Sequence, residues 1–405
     1  MIKRIVKMKY FYIFAFTFLF LVTDVFSAQS EFRIIAYLSV NHWNISQLDF
    51  SKVNYVNLSF ANPDATGNLI FSQNITDVVN QAHAKNAKVF ISIGGGNMSS
   101  NASTYYATGF LPANRDAFIQ KMINYVQTNN LDGVDVDLEN DALLIPYYND
   151  FVVSLATKLH TAGKQISSAV AQWSGDRINK TTLDAFDWIN LMSYDVTAPW
   201  RPETPGQHAP MNKVTGDYAY WNTTRMVNKL KITVGVPFYG YEFVNSTTVN
   251  TWTYNDIVTT YPGAENTDVV NGNLYYNGIP TITQKTLYAY QNGGGIMYWE
   301  WGQDATGIKS LSNAIYNKVN SLNTGIETSV ITVKLYNNQI SKKIGIALPI
   351  NDTCSVDVYS ISSVKVYSSL FQSNLEINTA KWQKGVYFVR LNMKNTLQTI
   401  KIILQ

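Results

Sequence analysis

The chain has 405 residues, 46% of them apolar and 15% charged, which is enough to bury a sizeable core and to make more than one domain. Its formal charge of +3 resides in the first 28 residues, with Lys3, Arg4, Lys7, Lys9 and Asp24, so the remainder is close to neutral and nucleic acid is excluded as a partner. The single cysteine, Cys354, cannot close an internal disulfide, and no His or Cys spacing suits a metal site, so no metal and no cofactor is expected.

The basic start leads into an apolar run from Tyr10 to Val22 and then Val25-Phe26-Ser27, the pattern of a secretory signal peptide over residues 1–28. That run is shorter than the span of about 20 residues a bilayer requires. From Phe32 onward, short β-branched and aromatic runs alternate with stretches of helical length, the rhythm of a βα-repeat protein. Ile34 to Val40, Val53 to Ala61 and Lys88 to Ile93 read as the first three strands, the third ending in Gly94-Gly95-Gly96. Three glycines after a strand could cradle a phosphate, but no Lys-Ser or Lys-Thr pair follows them.

The fourth strand lies in Leu131 to Asn140, Leu-Asp-Gly-Val-Asp-Val-Asp-Leu-Glu-Asn. Successive side chains of a strand point to opposite faces, so Asp135, Asp137 and Glu139 share one face, roughly 6.6 Å apart, while Asp132 has the opposite parity and a structural role. Such a row resists ionisation through like charge and lost hydration, and is kept mainly where chemistry uses it. A calcium loop counted from Asp132 fails, because its sixth and twelfth places hold Asp137 and Leu143 in place of Gly and Glu. An acidic strand without function is the competing reading.

Four strands follow: Ile166 to Trp173, Trp188 to Asp195, Ile232 to Tyr239 and Gly294 to Trp299. After Asn323 the texture changes to alternating runs at Val330 to Leu335, Val356 to Tyr359 and Val364 to Tyr367, the mark of a small all-β module.

The acidic stretch resembles the Asp-x-x-Asp-x-Asp-x-Glu signature of family 18 glycoside hydrolases. Ser92-Ile93-Gly94-Gly95, Met192-Ser193-Tyr194-Asp195, Gly235 to Gly240 and Gly294 to Trp299 resemble further elements of that family in the same order. The resemblance implies an α/β fold, a (β/α)8 TIM barrel over 29–322, followed by the β-rich domain 323–405. The ending Lys384 to Arg390 and Lys401 to Leu404 resembles the C-terminal sorting domain of type IX secretion, which implies an exported protein that meets that secretion machinery. A carbohydrate-binding module or a plain appendage are the rival readings of this tail. Only Glu242 to Gly293 separates the last two barrel strands, and it must supply a helix near Lys285 to Asn292. A groove more open than that of larger chitinases is therefore expected.

What the resemblance implies for chemistry is substrate-assisted hydrolysis of β-1,4 linkages in chitin or other N-acetylglucosamine glycans by a secreted monomer. Glu139 is the implied acid and base, its pKa raised by Asp137 and Asp135. Asp137 orients the substrate acetamido group, and Tyr194, with Asp195 behind it, holds the acetamido oxygen. Trp299 is the apolar floor beneath the sugar. Met192, Tyr37, Phe60, Gln172, Trp173 and Trp200 lie at or after strand ends and are expected to extend the binding groove, with Trp43 a further candidate. An endo-acting enzyme on the chitobiose core of N-glycans and a non-catalytic chitin-binding lectin are the alternatives.

Overall fold

The computed structural model describes residues 32–323, 334–338, 342–347, 353–362, 364–393 and 396–404. The expected signal peptide, and the expected strand at Val330 to Leu335 up to residue 333, lie outside the described residues.

Eight parallel strands close on themselves: Arg33–Ser39, Tyr55–Pro63, Lys88–Gly94, Gly133–Asp137, Gln165–Val170, Trp188–Leu191, Ile232–Pro237 and Gly295–Trp299. Each pairs with the next, and the eighth pairs with the first, Ile34 opposite Ile296 and Ala36 opposite Tyr298. Both faces of these strands are covered, which is why they read as nearly continuous apolar runs. In the first strand Ile34, Ala36 and Leu38 belong to the core beneath the helices. Ile35 and Tyr37 join Phe90, Trp188 and Met297 inside the barrel. The helices on the outside start where the sequence offers caps: Ser99 accepts from the Ala102 amide before Ser100–Phe110, and Asn179 from the Thr182 amide before Lys180–Ala185.

Two strands stop earlier than the sequence suggests. The fifth ends at Val170, and Gln172–Arg177 winds as a 3-10 turn that carries Gln172 and Trp173. The sixth ends at Leu191, where the Ser193 amide bonds back to the Leu191 carbonyl and Asp195 takes a left-handed φ of 62°. Past the sixth strand Met192 and Tyr194 still pack against the barrel interior, whereas Trp173 past the fifth is exposed, so apolar composition marks neither strand end.

The stretch after the seventh strand is more than a connecting helix. Tyr239–Asn245, Thr248–Thr253, Val269–Val270 and Leu274–Tyr275 form a four-stranded antiparallel sheet, with helix Tyr254–Thr260 beside it, before Ile279–Asn292 returns to the barrel. This stretch therefore supplies a small sheet as well as the expected helix. The buried faces of Tyr239, Tyr241 and Phe243 gather around Ala198 and the half-buried Trp299.

The C-terminal module is all β. A three-stranded sheet combines Lys334–Asn338, Lys343–Ala347 and Asn374–Asn378, and a four-stranded one combines Thr353–Ser360, Lys365–Gln372, Gly385–Met393 and Thr396–Leu404. Alternate residues fill its core, among them Ile344, Ile346, Val356, Val358, Val389 and Leu391, with the free thiol of Cys354 buried beside them.

Candidate active site

The fourth strand places Asp135 fully buried in the barrel, in register with Ser92 on the third strand and Ser167 on the fifth. Four groups donate to it: Ser167 at 2.6 Å, Ser92 at 2.7 Å, the Tyr37 hydroxyl at 2.8 Å and the Asn190 amide at 3.3 Å. Burial raises the pKa of this carboxyl, and the donors act against the rise. With its lone pairs engaged, Asp135 is a fixed charge rather than a reactive one.

Asp137, one pleat higher and 3% exposed, has the opposite character. Its Oδ1 is buried and has no hydrogen-bond partner. Burial and then the charges of Glu139 and Asp135 hold its pKa well above the usual carboxylate range. The regular strand ends here, but the backbone at Glu139 remains extended at φ −112° and ψ 168°, so the third carboxyl keeps its place in the row. The pKa of Glu139 is pushed up to about 7, first by burial and then by Asp195. Glu139 and Asp137 press on one another as expected from sequence, and Asp195, from the sixth strand's loop, is a further like-charge neighbour that the sequence did not mark.

The glycines after the third strand make room for this arrangement. Gly94 and Gly95 have φ of 105° and 92°, and the Gly95 amide bonds to the Asp137 carbonyl at 2.7 Å. A Cβ on Gly94 would lie 2.3 Å from that carbonyl oxygen, one on Gly95 2.5 Å from the Phe60 ring, and one on Gly96 3.1 Å from Glu139 Oε1. Phe60 is itself the extra residue of a bulge, since Ser59 pairs with Ser92 and Ala61 with Ile93. Its ring stacks on Trp299, with centroids 5.4 Å apart and planes 17° apart, while Tyr37 meets Trp299 at 5.6 Å. Met192 packs into the same half-buried group as Tyr194 and Trp299.

Tyr194 has its pKa raised by burial and by the charges of Asp137, Asp195 and Glu139, so its hydroxyl stays a donor. Asp195, whose charge acts on Tyr194, makes its hydrogen bonds to other groups. Its Oδ1 accepts from the Tyr239 hydroxyl at 2.8 Å and the Tyr241 hydroxyl at 3.1 Å, and lies 3.1 Å from His208 Nδ1. Tyr239 lies in the Gly235 to Gly240 element marked from sequence, but Tyr241 and His208 carried no sequence signal, because the insert and the loop that hold them have no periodic relation to the acidic strand. Ser92, Ser167 and Asn190 were within reach of a reading that followed inward-facing positions from strand to strand.

Asp135, Asp137, Glu139, Tyr194, Asp195, Tyr37, Phe60, Met192 and Trp299 thus converge. Among the described residues no hydrogen bond or ring contact joins Gln172, Trp173 or Trp200 to them. Trp173 is 57% and Trp200 65% exposed, and the Arg177 guanidinium stands 5.8 Å from the Trp173 ring. Trp43 packs edge-on against Phe71. Asp132 accepts from the Val89 amide and pairs with His83, both at 2.8 Å, which ties the base of the strand and is a structural role. Chemically, the site offers a carboxyl able to give up and regain a proton near neutrality, an unpartnered buried acceptor beside it, a tyrosine donor, and an aromatic floor.

A family model described as glycosyl hydrolases family 18 matches residues 33–304, and one described as a secretion system C-terminal sorting domain matches 334–405. The GH18 chitinase ChiB from the chitin utilization locus of Flavobacterium johnsoniae is 37% identical, with a TM-score of 0.69 over 72% of this chain and 95% of that one. A chitinase from Bacteroides thetaiotaomicron is 27% identical, with a TM-score of 0.62 over 71% and 96%. The secreted chitinase LysM12 of Penicillium expansum is 28% identical over 54% of this chain, but the match spans only 17% of that protein.

The electrostatics make a direct prediction. Followed by carbon-13 NMR, the Glu139 carboxyl titrates near pH 7, and Asp195→Asn, which removes a like charge, moves that titration to lower pH. A Glu139 that titrates near the ordinary value of about 4.3 would contradict this geometry.

Proposed function

The chain belongs to family 18 of the glycosyl hydrolases, and from that membership and the site's geometry we propose that it is a secreted chitinase. It cleaves β-1,4 linkages between N-acetylglucosamine units, within the chain, with retention of configuration. One observation carries this reading: of the carboxyls on the acidic strand, one is saturated, one is buried with a free acceptor atom, and one holds its proton to about pH 7.

An ordinary retaining glycosidase pairs its acid with a second carboxylate that attacks the anomeric carbon. Asp135 cannot attack, since four donors occupy it. Asp195 Oδ1 is likewise engaged, by two tyrosine hydroxyls and a histidine. As the resemblance to family 18 implies, the nucleophile is the substrate's own acetamido oxygen, and the free Asp137 Oδ1 serves to orient that group. Glu139 gives its proton to the leaving oxygen while the acetamido oxygen closes on the anomeric carbon, forming a cyclic oxazolinium ion. The Asp137 Oδ1 accepts the acetamido N-H, aligns the group, and stabilises the positive charge that grows on it. Tyr194 donates to the acetamido oxygen side and holds it in the attacking position. Glu139, now ionised, takes a proton from water as that water opens the ring, which restores the acid.

Trp299 forms the floor of the cleavage subsite, an apolar face that suits the C-H face of a pyranose, and the stack on Phe60 fixes its tilt. The exposed rings of Trp173 and Trp200 serve sugars further along the groove. The C-terminal module addresses the enzyme to type IX secretion.

Glu139→Gln preserves size but removes the transferable proton, so turnover on acetylated chito-oligosaccharides falls by about 10² to 10⁴ while binding persists. Near-normal turnover by that variant would overturn the assignment. A chain cut after Asn323 retains hydrolysis of soluble oligosaccharides but stays inside the native host; export of the shortened chain would remove the sorting role from the tail.

A further inference from the structure

Trp299 is held on its two sides by different means. Toward the seventh strand the backbone ladder runs through it: Trp299 stands opposite Pro237, and the Phe238 amide donates to the Trp299 carbonyl at 2.8 Å. Toward the first strand the pairing ends one residue short, at Ala36 opposite Tyr298. Beyond that pair the link is made by a side chain. Glu300, 2% exposed, reaches across to the first strand's end, where its Oε2 accepts from the Ser39 amide at 2.8 Å. Its Oε1 meets His42 Nδ1 and accepts from the Gln303 side-chain amide at 3.3 Å.

A buried carboxyl is costly unless hydrogen-bonding groups surround it, and here they come from two loops at once. The Ser39 bond holds whatever the charge of His42, since a backbone amide donates to either form of a carboxyl. The two loops also pack closely: a Cβ on Gly302 would lie 2.3 Å from the His42 carbonyl oxygen, and Trp301 meets the rings of Phe50 at 5.4 Å and Tyr298 at 6.3 Å edge-on. Ser39 lies two residues beyond Tyr37, whose ring meets that of Trp299 and whose hydroxyl donates to Asp135. The Glu300 side chain thus joins the backbone that carries Trp299 to the strand that carries its neighbouring ring. Among the described residues it makes no hydrogen bond to Asp135, Asp137, Glu139 or Tyr194, so any part it takes in the reaction is indirect.

We propose that Glu300 is a positioning residue for the floor of the cleavage subsite: by joining the end of the eighth strand to the first strand's loop, it fixes where the Trp299 ring stands against Tyr37 and Phe60. The inference rests on the reading of Trp299 as that floor. A sugar laid on the ring meets Glu139 and Asp137 at a distance and tilt that the ring sets, so the clamp governs how well the leaving oxygen reaches the acid. Without it the ladder holds Trp299 from the seventh strand alone, and the ring is free to shift relative to the acidic strand.

The test uses the full chain. With fluorine-labelled tryptophan, the Trp299 resonance is assigned among the nine by Trp299→Phe, and no substrate is needed. Glu300→Ala is expected to shift and broaden that resonance while the resonance of Trp221, buried in the core beneath the helices, stays in place. Glu300→Gln keeps an oxygen for the Ser39 amide, so it is expected to move the resonance less, and it decides the matter if the alanine variant fails to fold. A Trp299 resonance that stays unmoved would overturn the proposal. On acetylated chito-oligosaccharides, Glu300→Ala is expected to lower kcat/KM about tenfold, chiefly through kcat, as misplacement of a bound sugar does. In the Trp299→Ala background the same change is expected to cost less than about twofold, because the ring it positions is gone. Equal losses in the two backgrounds would make Glu300 a general support of the barrel and sink the idea. A wild type that leaves chito-oligosaccharides uncut would instead count against the proposed function alone, since the fluorine measurement does not depend on turnover.

Discussion

The burial of Asp135 is the constraint that the rest of the site depends on. An ion taken into the middle of a barrel costs several kcal/mol unless donors replace its lost water. Here the donors come from four different strands: Tyr37 from the first, Ser92 from the third, Ser167 from the fifth and Asn190 from the sixth. Asn190 is in turn tied to Thr233 on the seventh and to the Tyr37 hydroxyl. The interior is thus a polar column above an aromatic plug of Phe90 and Trp188, and the fourth strand threads it. Because Asp135 cannot move, Asp137 and Glu139 are delivered to the C-terminal rim in a fixed register. This is the face where barrels of this kind carry their chemistry.

Geometry then gives three like groups three different characters. Full solvation by protein donors makes Asp135 inert. Asp137 keeps an acceptor atom that no described protein group satisfies, in a place where a bound molecule can meet it. Partial burial next to Asp195 makes Glu139 a carboxyl that changes protonation near neutrality. The glycine run matters for a steric reason more than for flexibility. Side chains at Gly94, Gly95 and Gly96 would strike, in turn, the strand that carries Asp137, the ring that supports Trp299, and the acid itself.

Much of this was legible in the residues. The alternation of acidic and apolar side chains in Leu131 to Asn140 determined which carboxyls share a face, and the succession of short apolar runs gave the barrel strands in order. The floor pairing of Phe60 with Trp299 also lay within residues marked from sequence, although the bulge that turns Phe60 inward did not. What escaped was whatever depends on contacts between segments with no shared period. Asp195 adds its charge to that of Asp137 beside Glu139 because the sixth strand stops at Leu191 and its loop turns back. Tyr239, Tyr241 and His208 meet Asp195 only because a four-stranded sheet grows out of the seventh strand's end. Trp173 and Trp200 have the composition of sugar-binding residues, but their exposed rings make no contact with the acidic group, and their part in binding rests on chemistry rather than on proximity.

The account's central claim is that the substrate, and not a protein carboxylate, supplies the nucleophile. It is tested most directly by comparing hydrolysis of a fully deacetylated glucosamine oligomer with that of its acetylated twin. Both present the same ring and hydroxyls to Trp299, but only one carries the group that Asp137 and Tyr194 are placed to hold. The account predicts that the acetylated oligomer is cut and the deacetylated one is inert. Equal rates on the two would contradict it and return the role of nucleophile to a side chain of the protein.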